Sequence, residues 1–200
     1  MADAVIAKSY DISTALSILG ARMRSGDDSL LLAWVISGQL ACAHSPLRHH
    51  PEFGGSGKDL PKSATPEVVR WAKRIKESGI RSIICLMHPE EMQHYDALDL
   101  GAENLIEFYR QSGFEVCHIP WEDPEHWPDS EKVSFQEELA RVRVEALNAF
   151  DSLPKPVLID CSAAIDRTSH IAAYIAHLRP PKVHNENRRS KRTPSRNRRS

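Results

Sequence analysis

Cys161 is followed at the sixth position by Arg167 and then by Thr168, in the run Cys161-Ser162-Ala163-Ala164-Ile165-Asp166-Arg167-Thr168. The apolar stretch Pro156-Val157-Leu158-Ile159 precedes this run, and the helical pattern Ile171-Ala172-Ala173-Tyr174-Ile175-Ala176 follows it. A strand that becomes a helix through a short loop turns the loop's N–H groups toward one point, and that point binds anions. The spacing lets the loop wrap a tetrahedral phosphate. The amides of Ser162, Ala163, Ala164, Ile165, Asp166 and Arg167 would hold its oxygens, and the Arg167 guanidinium could grip two of them at once. A sulfur on the floor of this cradle is aimed at phosphorus. The same dipoles and charge favour thiolate, so the pattern predicts a Cys161 pKa below the free value of about 8.5.

The chain contains its own control for this spacing. Cys42-Ala43-His44-Ser45-Pro46-Leu47-Arg48 also places an arginine six residues after a cysteine. There Pro46 removes a loop N–H and restricts Ser45, and His49-His50-Pro51 cannot open a helix cleanly. Cys85 and Cys117 have Glu91 and Asp123 at the corresponding position, where a carboxylate repels phosphate. Cys42, Cys85 and Cys117 therefore read as small buried apolar residues.

The loop resembles the signature of the cysteine-dependent protein phosphatases, in particular the compact dual-specificity group: His-Cys, five residues, Arg, then Ser or Thr. Three further stretches resemble strands of that family in the same order. They are Trp34 to Ala41, Gly79 to Leu86, and Gly113 to Pro120, so the likeness spans roughly residues 32 to 177. It implies in-line attack by Cys161 on a phosphomonoester of a tyrosine or serine/threonine protein, a phosphocysteine intermediate, and no metal or other cofactor. Arg167 and the loop amides would stabilise the equatorial oxygens, and the Thr168 hydroxyl would ease departure of the sulfur. The leaving oxygen needs a proton. Asp123, in Ile119-Pro120-Trp121-Glu122-Asp123, resembles the acid loop of the compact members, while Asp129, in Trp127-Pro128-Asp129, is similar to that of the tyrosine-specific branch. Asp123 is the preferred acid and Asp129 the alternative.

Three positions depart from the family pattern. Asp160 stands in place of its histidine, and Ala164 in place of its usual glycine, which matters if that position needs positive φ. The chain also reaches Pro180-Pro181 where further helix is usual. A second reading is therefore a pseudophosphatase that binds a phosphorylated partner without turnover, and a third is an RNA 5′-phosphatase. The latter draws on the segment from Lys182 to Ser200, where Lys182, Arg188, Arg189, Lys191, Arg192, Arg196, Arg198 and Arg199 face one acid, Glu186.

That segment lacks apolar periodicity and reads as a disordered basic tail, with chemistry suited to nucleic acid, an acidic partner or a membrane surface. Because the whole chain carries a formal net charge of −1, the remainder is acidic. The 200 residues, 41% of them apolar, suit one buried core. The sequence divides into an N-terminal segment 1–31, a phosphatase-like domain 32–181 and the tail 182–200. No long apolar run predicts a membrane span or signal peptide, and four cysteines without paired spacing predict a reducing, cytoplasmic setting. Nothing in the pattern sets an oligomeric state.

The elements that must position the site alternate between helix and strand. Ser63-Ala64-Thr65-Pro66-Glu67 starts a helix with the stripe Val68, Val69, Ala72, Ile75 that stops at Gly79. Strand Ile83 to Leu86 follows, then a helix from Ala102 to Ser112 and a strand from Phe114 to Ile119. Phe135, Leu139, Val142, Ala146 and Phe150 recur at helical spacing. The predicted fold is α/β, with a central, largely parallel sheet flanked by helices and the site at the carboxyl ends of its strands.

Overall fold

A computed structural model of the chain describes residues 9–123 and 132–180. The chain is α/β, built on one five-stranded sheet. In chain order the main elements are α1 (Ser9–Arg24), β1 (Ala33–Ile36), β2 (Leu40–His44), α2 (Thr65–Glu77), β3 (Ser82–Cys85), the single turn α3 (Pro89–Met92), α4 (Leu105–Gln111), β4 (Glu115–His118), α5 (Lys132–Ser152), β5 (Val157–Cys161) and α6 (Arg167–Leu178). The strand order is β1-β2-β5-β3-β4. β1 and β2 are antiparallel, whereas β2, β5, β3 and β4 run parallel.

Parallel strands buried on both faces are written as apolar runs, and all residues of β2, β3 and β5 are buried. The stretch expected as one opening strand is two. Gly38, at φ 65°, permits the tight turn between β1 and β2. Helix α2 begins with Pro66 in its first turn and buries Val68, Trp71, Ala72 and Ile75. Helix α4 starts later than Ala102 because the Asn104 side chain accepts the Glu107 N–H at 3.0 Å, setting the first turn there.

Helix α1 was not anticipated. Its buried residues Ile12, Leu16, Leu19 and Met23 repeat at helical spacing and join the same core as the sheet. The N-terminal segment thus covers α6, which packs between α1 and α5 and against β1, β2 and β5. Helices α2 and α4 meet through Trp71 and Tyr109, whose rings lie 5.8 Å apart. Among the described residues no helix is long and apolar enough to cross a membrane. The basic segment 182–200 lies outside the described residues.

Candidate active site

Cys161 is the last residue of β5, and the loop of residues 162–166 leads from it into α6, whose first residue is Arg167. The predicted strand, loop and helix therefore follow one another at the carboxyl end of a central parallel strand. Cys161 is only 1% exposed, and the Ala164 N–H donates to its Sγ at 3.2 Å.

For loop amides to turn inward, loop carbonyls must turn outward and find donors. The Ser45 N–H, just past β2, donates to Cys161 O at 3.1 Å and Ser162 O at 3.2 Å, and the Ser45 hydroxyl donates to Ser162 O. His44 Nδ1 lies 2.7 Å from Ala163 O. The Ser169 hydroxyl, on the first turn of α6, takes Ile165 O. Ala164 sits at φ 58°, the left-handed conformation that the sequence departure put in question. It holds that conformation as a fully buried residue, at a cost of about 1 kcal/mol relative to glycine. Asp166 is exposed at the start of α6, with no side-chain capping bond.

Arg167 is 1% exposed and saturated on its two terminal nitrogens. Nη1 donates to Trp121 O at 2.7 Å, Leu86 O at 3.4 Å and Glu91 Oε2 at 2.6 Å. Nη2 donates to Glu91 Oε1 at 2.5 Å and Asp123 Oδ2 at 3.3 Å. Asp123 is thereby brought to the site. Trp121, buried and stacked on Phe135 of α5 with centroids 6.0 Å apart, anchors the segment that carries it. Asp129, the alternative acid, lies outside the described residues.

Glu91, whose spacing from Cys85 reads only as phosphate-repelling, lies against Arg167, a contact that no local pattern contains. The signal present is for the turn that carries it: His88-Pro89-Glu90-Glu91 reads as a helix start with Pro at the first position and Glu at the third. Glu91 Oε2 accepts the His88 N–H at 2.8 Å, which turns its carboxylate toward Arg167.

The expectation of a depressed thiol is reversed. Burial pushes the Cys161 pKa up, more than Arg167 and the Thr168 hydroxyl and amide pull it down, and Glu91 adds to the rise. The Thr168 hydroxyl is buried without a hydrogen-bond partner of ordinary geometry, so it is available to the sulfur.

Asp160 points away from the loop, as alternation along β5 requires. Its Oδ2 accepts the Tyr109 hydroxyl of α4 at 3.1 Å, and Cys85 faces it across β3 in register. Complete burial pushes its pKa from 3.8 up to about 7, with the Tyr109 and Cys85 contacts pulling it down. The folded chain therefore keeps this proton up to about pH 7, while the unfolded chain releases it near 3.8. Between these values the folded state binds more protons, so this residue lowers stability as pH rises. Asp160→Asn should flatten that slope. Comparing chemical denaturation at pH 5 and pH 8, the stability lost on going to the higher pH should shrink by up to about 3 kcal/mol in the variant, since only the span from pH 5 to about 7 contributes. Parallel curves for the two proteins would show that Asp160 ionises normally.

The cavity lined by Met23, Leu31, Leu47 and Trp71 lies away from Cys161, and its acids Asp28 and Glu67 are paired to Arg70 and Arg74. The cleft beside the loop is lined by Ser45, Arg48, Lys58, Met87, Glu91 and Ser162. Among the described residues no group of three or more His, Cys, Asp or Glu side chains converges as a metal site. Comparison of the chain with protein-family models, curated proteins and solved structures finds no match.

Proposed function

We propose that this chain is a phosphomonoester hydrolase of the cysteine-dependent, dual-specificity phosphatase type, with a phosphatase-like fold, acting on phosphotyrosine or phosphoserine/threonine proteins. The observation that carries the reading is the convergence of three groups. Cys161 Sγ sits beneath the Ala164 N–H, Arg167 is buried at the helix start, and Asp123 lies 3.3 Å from that guanidinium. Among the described residues the protein acceptors of Arg167 fall on Nη1 and Nη2, so a phosphoryl group gripped by two of its nitrogens must displace Glu91 or Asp123 from one of them.

In the proposed reaction the Cys161 thiolate attacks phosphorus in line with the ester oxygen. The S–P bond forms as the P–O bond breaks, and Asp123 gives its proton to the leaving oxygen. Arg167 and the loop amides hold the equatorial oxygens. Water then attacks the phosphocysteine, Asp123 takes the water's proton, and the Thr168 hydroxyl stabilises the departing sulfur. A bound dianionic phosphate opposes a thiolate beside it, so Arg167 and the loop amides must offset both that charge and the burial that raises the thiol pKa.

The raised thiol and the Glu91 clamp on Arg167 also favour a second reading, a pseudophosphatase that holds a phosphorylated partner without turnover. Hydrolysis of aryl phosphates by the reduced protein separates the two. Turnover is expected, and in Asp123→Asn the loss should grow with the basicity of the leaving group, reaching about 100-fold for poor leaving groups. Folded protein that binds phosphate and shows no turnover would establish the pseudophosphatase. The same leaving-group dependence in Asp129→Asn, with Asp123→Asn unaffected, would move the acid to Asp129.

A further inference from the structure

His44 ends β2 directly opposite Cys161 in the parallel register with β5, and it is 1% exposed. Both of its ring nitrogens face carbonyl oxygens. Nδ1 is 2.7 Å from Ala163 O in the loop, and Nε2 is 2.9 Å from Leu16 O on α1. A carbonyl oxygen only accepts, and a neutral imidazole has one N–H, so both contacts are hydrogen bonds only when the ring carries two protons.

The surroundings accommodate this ring without a counter-ion. Arg24 from α1, Arg48 and His49 from the segment after β2, and Cys161 from β5 are the titratable or charged groups around it. Among the described residues no carboxylate forms an ion pair with it. The His49 ring meets it edge-on at 4.2 Å, and Gly20 on α1 makes the room, since a Cβ there would lie 2.7 Å from His49 and 3.2 Å from His44. Burial holds the His44 pKa below the ordinary histidine value, opposed by the two carbonyls, with Arg48 and Arg24 adding to the depression.

We propose that His44 is a positioning residue for the phosphate loop. Its Nδ1–H holds the Ala163 carbonyl outward so that the next amide, Ala164 N–H, faces Cys161 Sγ. Its Nε2–H joins the loop to α1 only while the ring is doubly protonated. The functional part of this proposal rests on reading the loop as a phosphate cradle. The shorter contact goes to the loop, so loss of a proton releases Leu16 and keeps Ala163.

Nitrogen NMR of the His44 ring tests the proton positions without any assumption about turnover. Nδ1 should stay protonated across the pH range, and Nε2 should lose its proton below the ordinary imidazole value. A neutral ring protonated on Nε2 alone would overturn the proposal.

Two substitutions test the consequence, because an asparagine amide can reach the position of Nδ1 and a glutamine amide that of Nε2. His44→Gln should raise the Cys161 thiol pKa, read as thiolate absorbance relative to Cys161→Ser, weaken binding of inorganic phosphate, and lower kcat/KM about 100-fold. His44→Asn should recover most of each loss. Equal behaviour of the two folded variants, or a thiol pKa unmoved in His44→Gln, would overturn it. Absence of turnover in the wild-type protein would sink the phosphatase reading alone, since thiol pKa and phosphate binding still report on His44.

Discussion

Cys161→Ser should lower aryl phosphate hydrolysis by more than about 10⁴-fold while leaving phosphate binding and thermal stability close to those of the parent. The reason lies in how the site divides its labour. In the proposed reaction binding is supplied by Arg167 and the loop amides, which the substitution keeps, whereas bond formation to phosphorus needs an ionised nucleophile. A serine hydroxyl is far less acidic than a thiol, and this site already opposes ionisation by burying the sulfur. Initial rates under reducing conditions, with mass spectrometry of acid-quenched protein for the phosphocysteine, supply the check. A serine variant that turned over at the parental rate, or a quenched parent carrying phosphate elsewhere, would remove Cys161 from the chemistry.

Glu91→Gln is expected to lower both stability and activity while making the Cys161 thiol more acidic. The carboxylate holds Arg167 through both oxygens, at 2.5 and 2.6 Å, and the guanidinium is almost wholly buried. Removing one partner of a buried ion pair leaves a charge without compensation, a loss of about 3 kcal/mol even where Asp123 remains within reach. With its clamp gone, Arg167 is no longer aimed, and kcat/KM should fall about 100-fold. The Cys161 thiol should nevertheless become more acidic, because Glu91 raises its pKa and Arg167 lowers it. Denaturation curves, steady-state rates and thiolate absorbance measure the three. A more basic thiol in the variant would mean that the carboxylate acts on Cys161 mainly by holding Arg167 in place, and an unchanged stability would mean that Arg167 finds another acceptor.

The regular elements were legible because each follows a local period. The α2 stripe, the Pro66 start, the apolar run of β5 and the amphipathic repeat of α5 are visible within short windows of sequence, and the structure places an element at each. Boundaries shifted where a side chain competed for a backbone group, as Asn104 does at the start of α4. Helix α1 carries the same period as α2 in Ile12, Leu16, Leu19 and Met23, so it too is written locally. The β1–β2 hairpin was hidden because Gly38 turns the chain inside a stretch that reads as continuously strand-like.

The order Cys161, loop, Arg167, Thr168 is local, and the sequence by itself determined that a strand ending in the thiol passes through a short loop into a helix that begins with the arginine. It equally exposed the two oddities, Asp160 and Ala164. Only the tertiary structure decided what these residues experience. Parallel strands place their carboxyl ends side by side regardless of separation along the chain, and that brings His44 and Ser45 behind the loop, Glu91 onto Arg167 and Asp123 beside it. Strand alternation sends Asp160 to Tyr109 instead of to the sulfur. The sign of the thiol shift follows from the same cause: desolvation by a surrounding core acts through many distant residues at once, and no short window of sequence contains it.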